Sequence, residues 1–130
     1  MIDWEGLRAA AREMLPHAYV PYSDYPVGAA ALVDDGRIVT GCNVENATYG
    51  LTVCAERVAM FKALSEGHRE FTSVAVVADT ADPTPPCGAC RQILWEFGGD
   101  LEVFLANLTE HKGTFRMTDL LPLPFDARLL

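Results

Sequence analysis

Apolar residues at the start of the chain recur with helical spacing. Leu7, Ala10, Ala11, Met14 and Leu15 share one face, Asp3 is placed to cap the helix, and Pro16 ends it or lies just past its end. The pattern then changes period. Residues 27–33 form a small, apolar run suited to a buried strand, Asp35-Gly36 signals a tight turn, and residues 37–41 return as the second strand of a hairpin. A polar loop over 42–51 leads into a helix that opens at Thr52 or Val53, runs to about Glu66 and stops at Gly67. Val53, Ala55, Val58, Ala59, Met60, Phe61, Ala63 and Leu64 make it apolar on more than one side, so it is expected to be buried on several faces, by its own core or by a neighbouring subunit.

The second half continues in the same alternation. Residues 71–78 are a continuous apolar strand of the kind found inside parallel sheets. A stiff, proline-rich loop over 82–86 precedes a third helix, from about Cys87 to Phe97, which Gly98-Gly99 stops. Two further strands are expected at 101–106 and 114–117. The connection between them is too short for a parallel crossover, so these two should pair antiparallel. The expected fold class is α/β, a mixed five-stranded sheet with helices on both faces, in one domain spanning 1–130.

Charge and cysteine usage narrow the function. The formal net charge is -8, and the basic residues form no run. Polynucleotide binding needs a concentrated basic patch to displace counterions, so a nucleic-acid partner is not expected. No signal-like segment and no bilayer-length apolar run stands out, which makes the cytoplasm the expected location and a membrane partner unexpected. In a reducing compartment, Cys42, Cys54, Cys87 and Cys90 suggest metal or redox chemistry more than disulfides.

The candidate chemistry lies in Cys54-Ala55-Glu56 and, downstream, Pro86-Cys87-Gly88-Ala89-Cys90. Cys87 and Cys90 are three apart at a helix start, so both sulfurs can face one point, and Cys54 is expected in the first turn of another helix. Helix N-termini favour thiolates. Two such starts aimed at one spot would gather three thiolates around one Zn2+ and leave a fourth tetrahedral position for water. Glu56 stands two residues beyond the first ligand, able to approach the water without ligating the metal. This is the zinc-deaminase signature in its all-cysteine form, with Glu56 as acid and base. Three thiolates and Zn2+ sum to -1, which makes bound water harder to ionise. Arg57, at the same helix start, is placed to offset that charge by hydrogen-bonding a ligand sulfur. A redox Cys-x-x-Cys would leave Cys54 and Glu56 unexplained, and a structural four-thiolate site would need Cys42, which reads instead as a small buried residue at a strand end. His17, His68 and His111 lie outside every motif.

Four stretches extend the match: 21–30 (PYSDYPVGAA), 41–47 (GCNVENA), 54–57 (CAER) and 86–92 (PCGACRQ). In this order the chain resembles the small homotetrameric zinc-dependent cytidine deaminases from the first helix to Leu121-Pro122. The resemblance implies hydrolytic deamination of free cytidine and deoxycytidine, by zinc-activated hydroxide with a glutamate proton shuttle, in pyrimidine salvage. It implies zinc on Cys54, Cys87 and Cys90, catalysis by Glu56, and Asn43 and Glu45 holding the ribose 3'-hydroxyl. It also places Tyr25, Ala55 and Phe125 beside the substrate. Tyr25 stands where the family usually has a Phe, and Phe125 where an aromatic often comes from a neighbouring subunit. The implied assembly is a homotetramer with shared active sites. Alternatives with the same motif are a zinc deaminase of a nucleoside antibiotic or nucleotide, and a catalytically silent zinc-stabilised binding module; Glu56 and the open coordination position argue against the last.

Overall fold

The computed structural model describes residues 2–130. One mixed sheet runs in the order β2-β1-β3-β4-β5. Strands β1 (Val27–Val33) and β2 (Ile38–Cys42) form the expected hairpin, and β1 also pairs antiparallel with β3 (Phe71–Ala78). Strand β3 runs parallel to β4 (Glu102–Ala106), and β5 (His111–Arg116) closes the sheet antiparallel to β4. Both faces are covered. Helix α1 (Trp4–Glu13) lays Leu7 and Ala11 on Ala30, Ala75, Val77, Phe104 and Ala106. On the opposite face, α2 (Ala55–Ser65) and α3 (Gly88–Gly98) pack Ala59, Met60, Ala63 and Leu94 against Ala29, Ala31, Val74, Val76, Val103 and Leu105. Among the described residues no helix is long and apolar enough to cross a membrane.

Several boundaries differ from those read off the pattern, each for a local reason. Asp3 caps α1 as expected, its carboxylate accepting from the Gly6 amide at 3.0 Å, but Leu15, Pro16 and His17 form a separate 3-10 turn. Strand β5 begins earlier, at His111, whose ring stacks on Phe104 at 4.1 Å. It also ends one residue sooner: Met117 is buried and starts a short helix α4 (Met117–Leu120), with the Arg116 amide donating to Asp119 at 3.2 Å.

The start of α2 matters most for function. Val53 is not helical, because its N–H and C=O exchange 2.9 Å hydrogen bonds with Val44. Cys54 is therefore the extended N-cap residue rather than part of the first turn, and Cys87 is likewise the N-cap of α3. The same Val44–Val53 bridge ties the loop carrying Asn43 and Glu45 to the first cysteine.

Small residues let the helices come close enough to the sheet to aim these starts. A Cβ on Gly41 would lie 2.5 Å from the Ala59 nitrogen and 2.6 Å from the Ala55 oxygen, both backbone atoms of α2. A Cβ on Gly28 would lie 1.9 Å from the Ala11 oxygen of α1. Neither helix can yield without shifting as a body. Gly41→Ala should therefore cost about 1–3 kcal/mol of stability, the usual penalty for overpacking. Denaturant unfolding checks this, and a wild-type midpoint for the variant would contradict the close packing of β2 on α2.

Candidate metal centre and substrate cavity

The sulfurs of Cys54, Cys87 and Cys90 all lie within 4.8 Å of one another, where β2 and β3 end and β1 begins. Cys54 to Cys87 is 4.0 Å and Cys87 to Cys90 is 3.4 Å. A tetrahedral zinc with 2.3 Å bonds places its sulfurs about 3.8 Å apart, so the three sulfurs fit one Zn2+ with little movement. Cys42 is buried at the end of β2, outside the cluster, and burial pushes its thiol up. A second group, Asp34, Asp35 and His68, gathers at the hairpin turn, but Asp35 is already paired with Arg37 at 2.8 Å.

The cluster is electrostatically uneven. The Cys54 thiol is drawn down to about 5, first by its hydrogen bond with Cys90 and then by Arg57, whose Nη2 donates to Sγ at 3.3 Å. The Cys90 thiol is pushed up as the partner of that thiolate, and by burial. Sulfurs this close disfavour being ionised together, so charge on one raises the pKa of its neighbour. Arg57 is the residue expected to offset this charge, and its guanidinium also donates to the Thr52 carbonyl at 3.2 Å, which fixes it beside Cys54.

Glu56 follows in the first turn of α2. It is only 4% exposed, and burial pushes its carboxyl up to about 7. Such a value suits a group that both takes and gives protons near neutrality. Glu56 lines a cavity of about 310 Å3 together with Cys54, Ala55, Cys87, Asn43, Glu45 and Tyr25, among others. That volume is at the small end of ligand pockets.

Two polar side chains of the cavity wall are held in place by the protein itself. Asn43 donates from Nδ2 to the Tyr25 carbonyl at 2.8 Å and accepts the Val27 amide on Oδ1 at 2.9 Å. Glu45 accepts the Tyr22 and Ser23 amides on Oε1, each at 3.1 Å, and the Ser23 hydroxyl on Oε2. These bonds hold the Glu45 carboxyl below the usual carboxylate range. Each side chain keeps free hydrogen-bonding capacity for a ligand. Tyr25 lines the cavity and its hydroxyl bonds Thr84 at 2.8 Å, the partner for the oxygen that a Phe would lack.

Sequence reasoning missed Ser23 and Thr84. Ser23 sits inside the 21–30 stretch, but only the tertiary pairing with Glu45 gives its hydroxyl a purpose. Phe125 is not among the residues brought together: it is 61% exposed, and its carbonyl accepts Gln92 Nε2 at 2.7 Å on the outer side of α3.

Three cysteine sulfurs at two helix starts, with a buried acid lining the same cavity as Asn43 and Glu45, make a metal-dependent hydrolase centre. Residues 3–106 match the family model described as the cytidine and deoxycytidylate deaminase zinc-binding region. A cytidine deaminase of Sporosarcina psychrophila is 51% identical over 93% of this chain and 90% of the relative. One from Halalkalibacterium halodurans is 54% identical over 85% of this chain and 84% of the relative. Among solved structures, the cytidine deaminase of Burkholderia pseudomallei superposes with a TM-score of 0.92 at 46% identity, covering 95% of this chain and all of that one (100%). That of Mycobacterium tuberculosis gives 0.82 at 46% identity, covering 96% and 98%. The chain belongs to the cytidine deaminase family of zinc-dependent hydrolases.

Purified without chelator, the protein should carry one zinc per chain by elemental analysis. Replacing Arg57 by Ala leaves the anionic cluster uncompensated and should weaken zinc retention or turnover about 10- to 100-fold, the range typical of residues that orient metal ligands. Unchanged zinc affinity and unchanged turnover would exclude that role.

Proposed function

We propose that this chain, acting as one catalytic domain, hydrolyses the exocyclic amine of free cytidine and deoxycytidine in pyrimidine salvage. The observation that carries the reading is a buried carboxyl, Glu56, lining one cavity with Cys54 and Cys87 of the three-sulfur cluster and with Asn43 and Glu45. Cys54, Cys87 and Cys90 hold the zinc, which when bound supplies a Lewis acid that lowers the pKa of water towards about 7.

The residues of the chain do the rest. Glu56 takes the proton of the attacking water, delivers it to N3 of the pyrimidine, and later carries one to the leaving amine. Its raised pKa keeps both protonation states accessible at neutral pH. Asn43 and Glu45 use their remaining hydrogen-bond capacity on the ribose. A site built for a hydroxyl penalises ligands without it, so free cytosine is a poor substrate. Ala55 and Tyr25 complete the wall beside the ring.

Phe125 fits a different reading. Its exposed ring, held on the outer side of α3, is offered to another copy of the chain. The oligomer is a homotetramer in which Phe125 of one chain closes the cavity of the next. Exposed apolar side chains on the loop and helix near the site, among them Tyr22, Tyr49, Leu51 and Phe61, provide surface for such contacts.

Glu56→Gln should keep its zinc and its fold while turnover falls by about 100-fold or more. An ultraviolet assay on cytidine, deoxycytidine, CMP and cytosine checks the reaction and the substrate together. Near-normal turnover by the zinc-loaded variant, or equal turnover of cytosine and cytidine by the wild type, would overturn the assignment.

The shared site has its own test. Phe125→Ala and Glu56→Gln chains are each expected to be impaired. Mixed oligomers refolded from both should regain activity, because some cavities then combine a wild-type Glu56 with a neighbour's Phe125. No recovery in oligomers known to be mixed would place Phe125 in its own chain's site or in none.

A further inference from the structure

The three cysteines are not equally secured. Cys90 is buried, and Cys54 is gripped by Arg57, but Cys87 is exposed and caps α3 through no side-chain bond of its own. What fixes it comes from behind. Arg91, next to Cys90, donates from Nε to the Pro86 carbonyl at 2.8 Å and from Nη1 to the Leu120 carbonyl at 2.7 Å.

Pro86 is fully buried and immediately precedes Cys87. Its carbonyl oxygen lies in the same rigid peptide plane as the Cys87 nitrogen. Holding that oxygen fixes the plane from which the Cys87 N–Cα bond departs, so the side chain can then move only by rotation about the bonds of Cys87 itself. Leu120 ends α4, so its carbonyl belongs to those that a helix terminus leaves without an intrahelical partner. A planar guanidinium can satisfy two carbonyls from different segments at once, which a lysine ammonium on a flexible stem does poorly.

The geometry points to Arg91 as a positioning residue for the metal: by pinning the Pro86–Cys87 peptide against the end of α4, it keeps the exposed ligand in the cluster and slows loss of zinc. This inference rests on the reading of Cys54, Cys87 and Cys90 as the zinc ligands.

Transfer of zinc from the loaded holoprotein to an excess of a coloured chelator reads the effect directly. Arg91→Lys and Arg91→Ala should each release zinc about tenfold or more faster than the wild type. Lysine should not rescue, because charge without the two-carbonyl bridge leaves Cys87 unpinned. Trp95→Phe supplies the control. It removes the 2.8 Å bond from Trp95 Nε1 to Asp126, loosening the same C-terminal segment without touching Pro86, and should release zinc at the wild-type rate. Wild-type release by Arg91→Lys would overturn the bridge, as would equal acceleration by Trp95→Phe. If Arg91→Ala does not fold, Arg91→Lys against Trp95→Phe still decides. Wild-type protein without stoichiometric zinc would instead overturn the ligand reading, and the inference with it.

Discussion

Three sulfur atoms within 4.8 Å of one another cannot all be ionised unless a cation lies among them. That constraint shapes the whole site. The Cys54 thiol is drawn down by its hydrogen bond with Cys90 and by Arg57, and the Cys90 thiol is pushed up by the same pairing and by burial. Cys54, Cys87 and Cys90 would hold a zinc as three thiolates, and the centre would then be anionic by one charge. Arg57 would answer this charge at Cys54, the cap of α2, and the free amides at the start of α3 favour thiolates at Cys87 and Cys90.

Bringing two helix starts to one point is a packing problem before it is a chemical one. Helix α2 sits against β2 with backbone nearly touching backbone at Gly41, and the alanine-rich faces of β1 and α2 allow the same closeness along their length. The parallel β3–β4 pair then obliges α3 to cross over the same face of the sheet, so its first turn returns to the end of β3. The last segments are carried by hydrogen bonds rather than by apolar burial. The Val44–Val53 bridge draws the loop of Asn43 and Glu45 to Cys54, and Arg91 draws Pro86 to α4.

The two carboxylates of the cavity illustrate how environment separates roles. Glu56 is buried, and burial raises its pKa to about 7. Glu45 accepts three hydrogen bonds from Tyr22 and Ser23, which favour its charged form and leave it an acceptor only. One residue type thus supplies a carboxyl raised by burial and a carboxylate held ionised by hydrogen bonds within one cavity.

Much of this was legible in the linear sequence because it depends on short-range spacing. The Cys87–Cys90 interval on a helix, Glu56 two residues after Cys54, the Asp35-Gly36 turn and the period changes between helix and strand are local properties. They were enough to pick out the three cysteines that the fold brings together, the acid that lines the same cavity, and the order of elements. Other features arise only when distant segments meet. Cys54 is an N-cap because Val53 spends its backbone on Val44, Ser23 matters because Glu45 folds against it, and Tyr25 keeps its hydroxyl because Thr84 stands 2.8 Å away. Met117 leaves the last strand because its side chain is buried against the α2–α3 face of the sheet. Spacing along the chain specifies which atoms can share a helix turn, whereas the partner of a hydrogen bond across the fold is selected by the sheet that brings the two segments together.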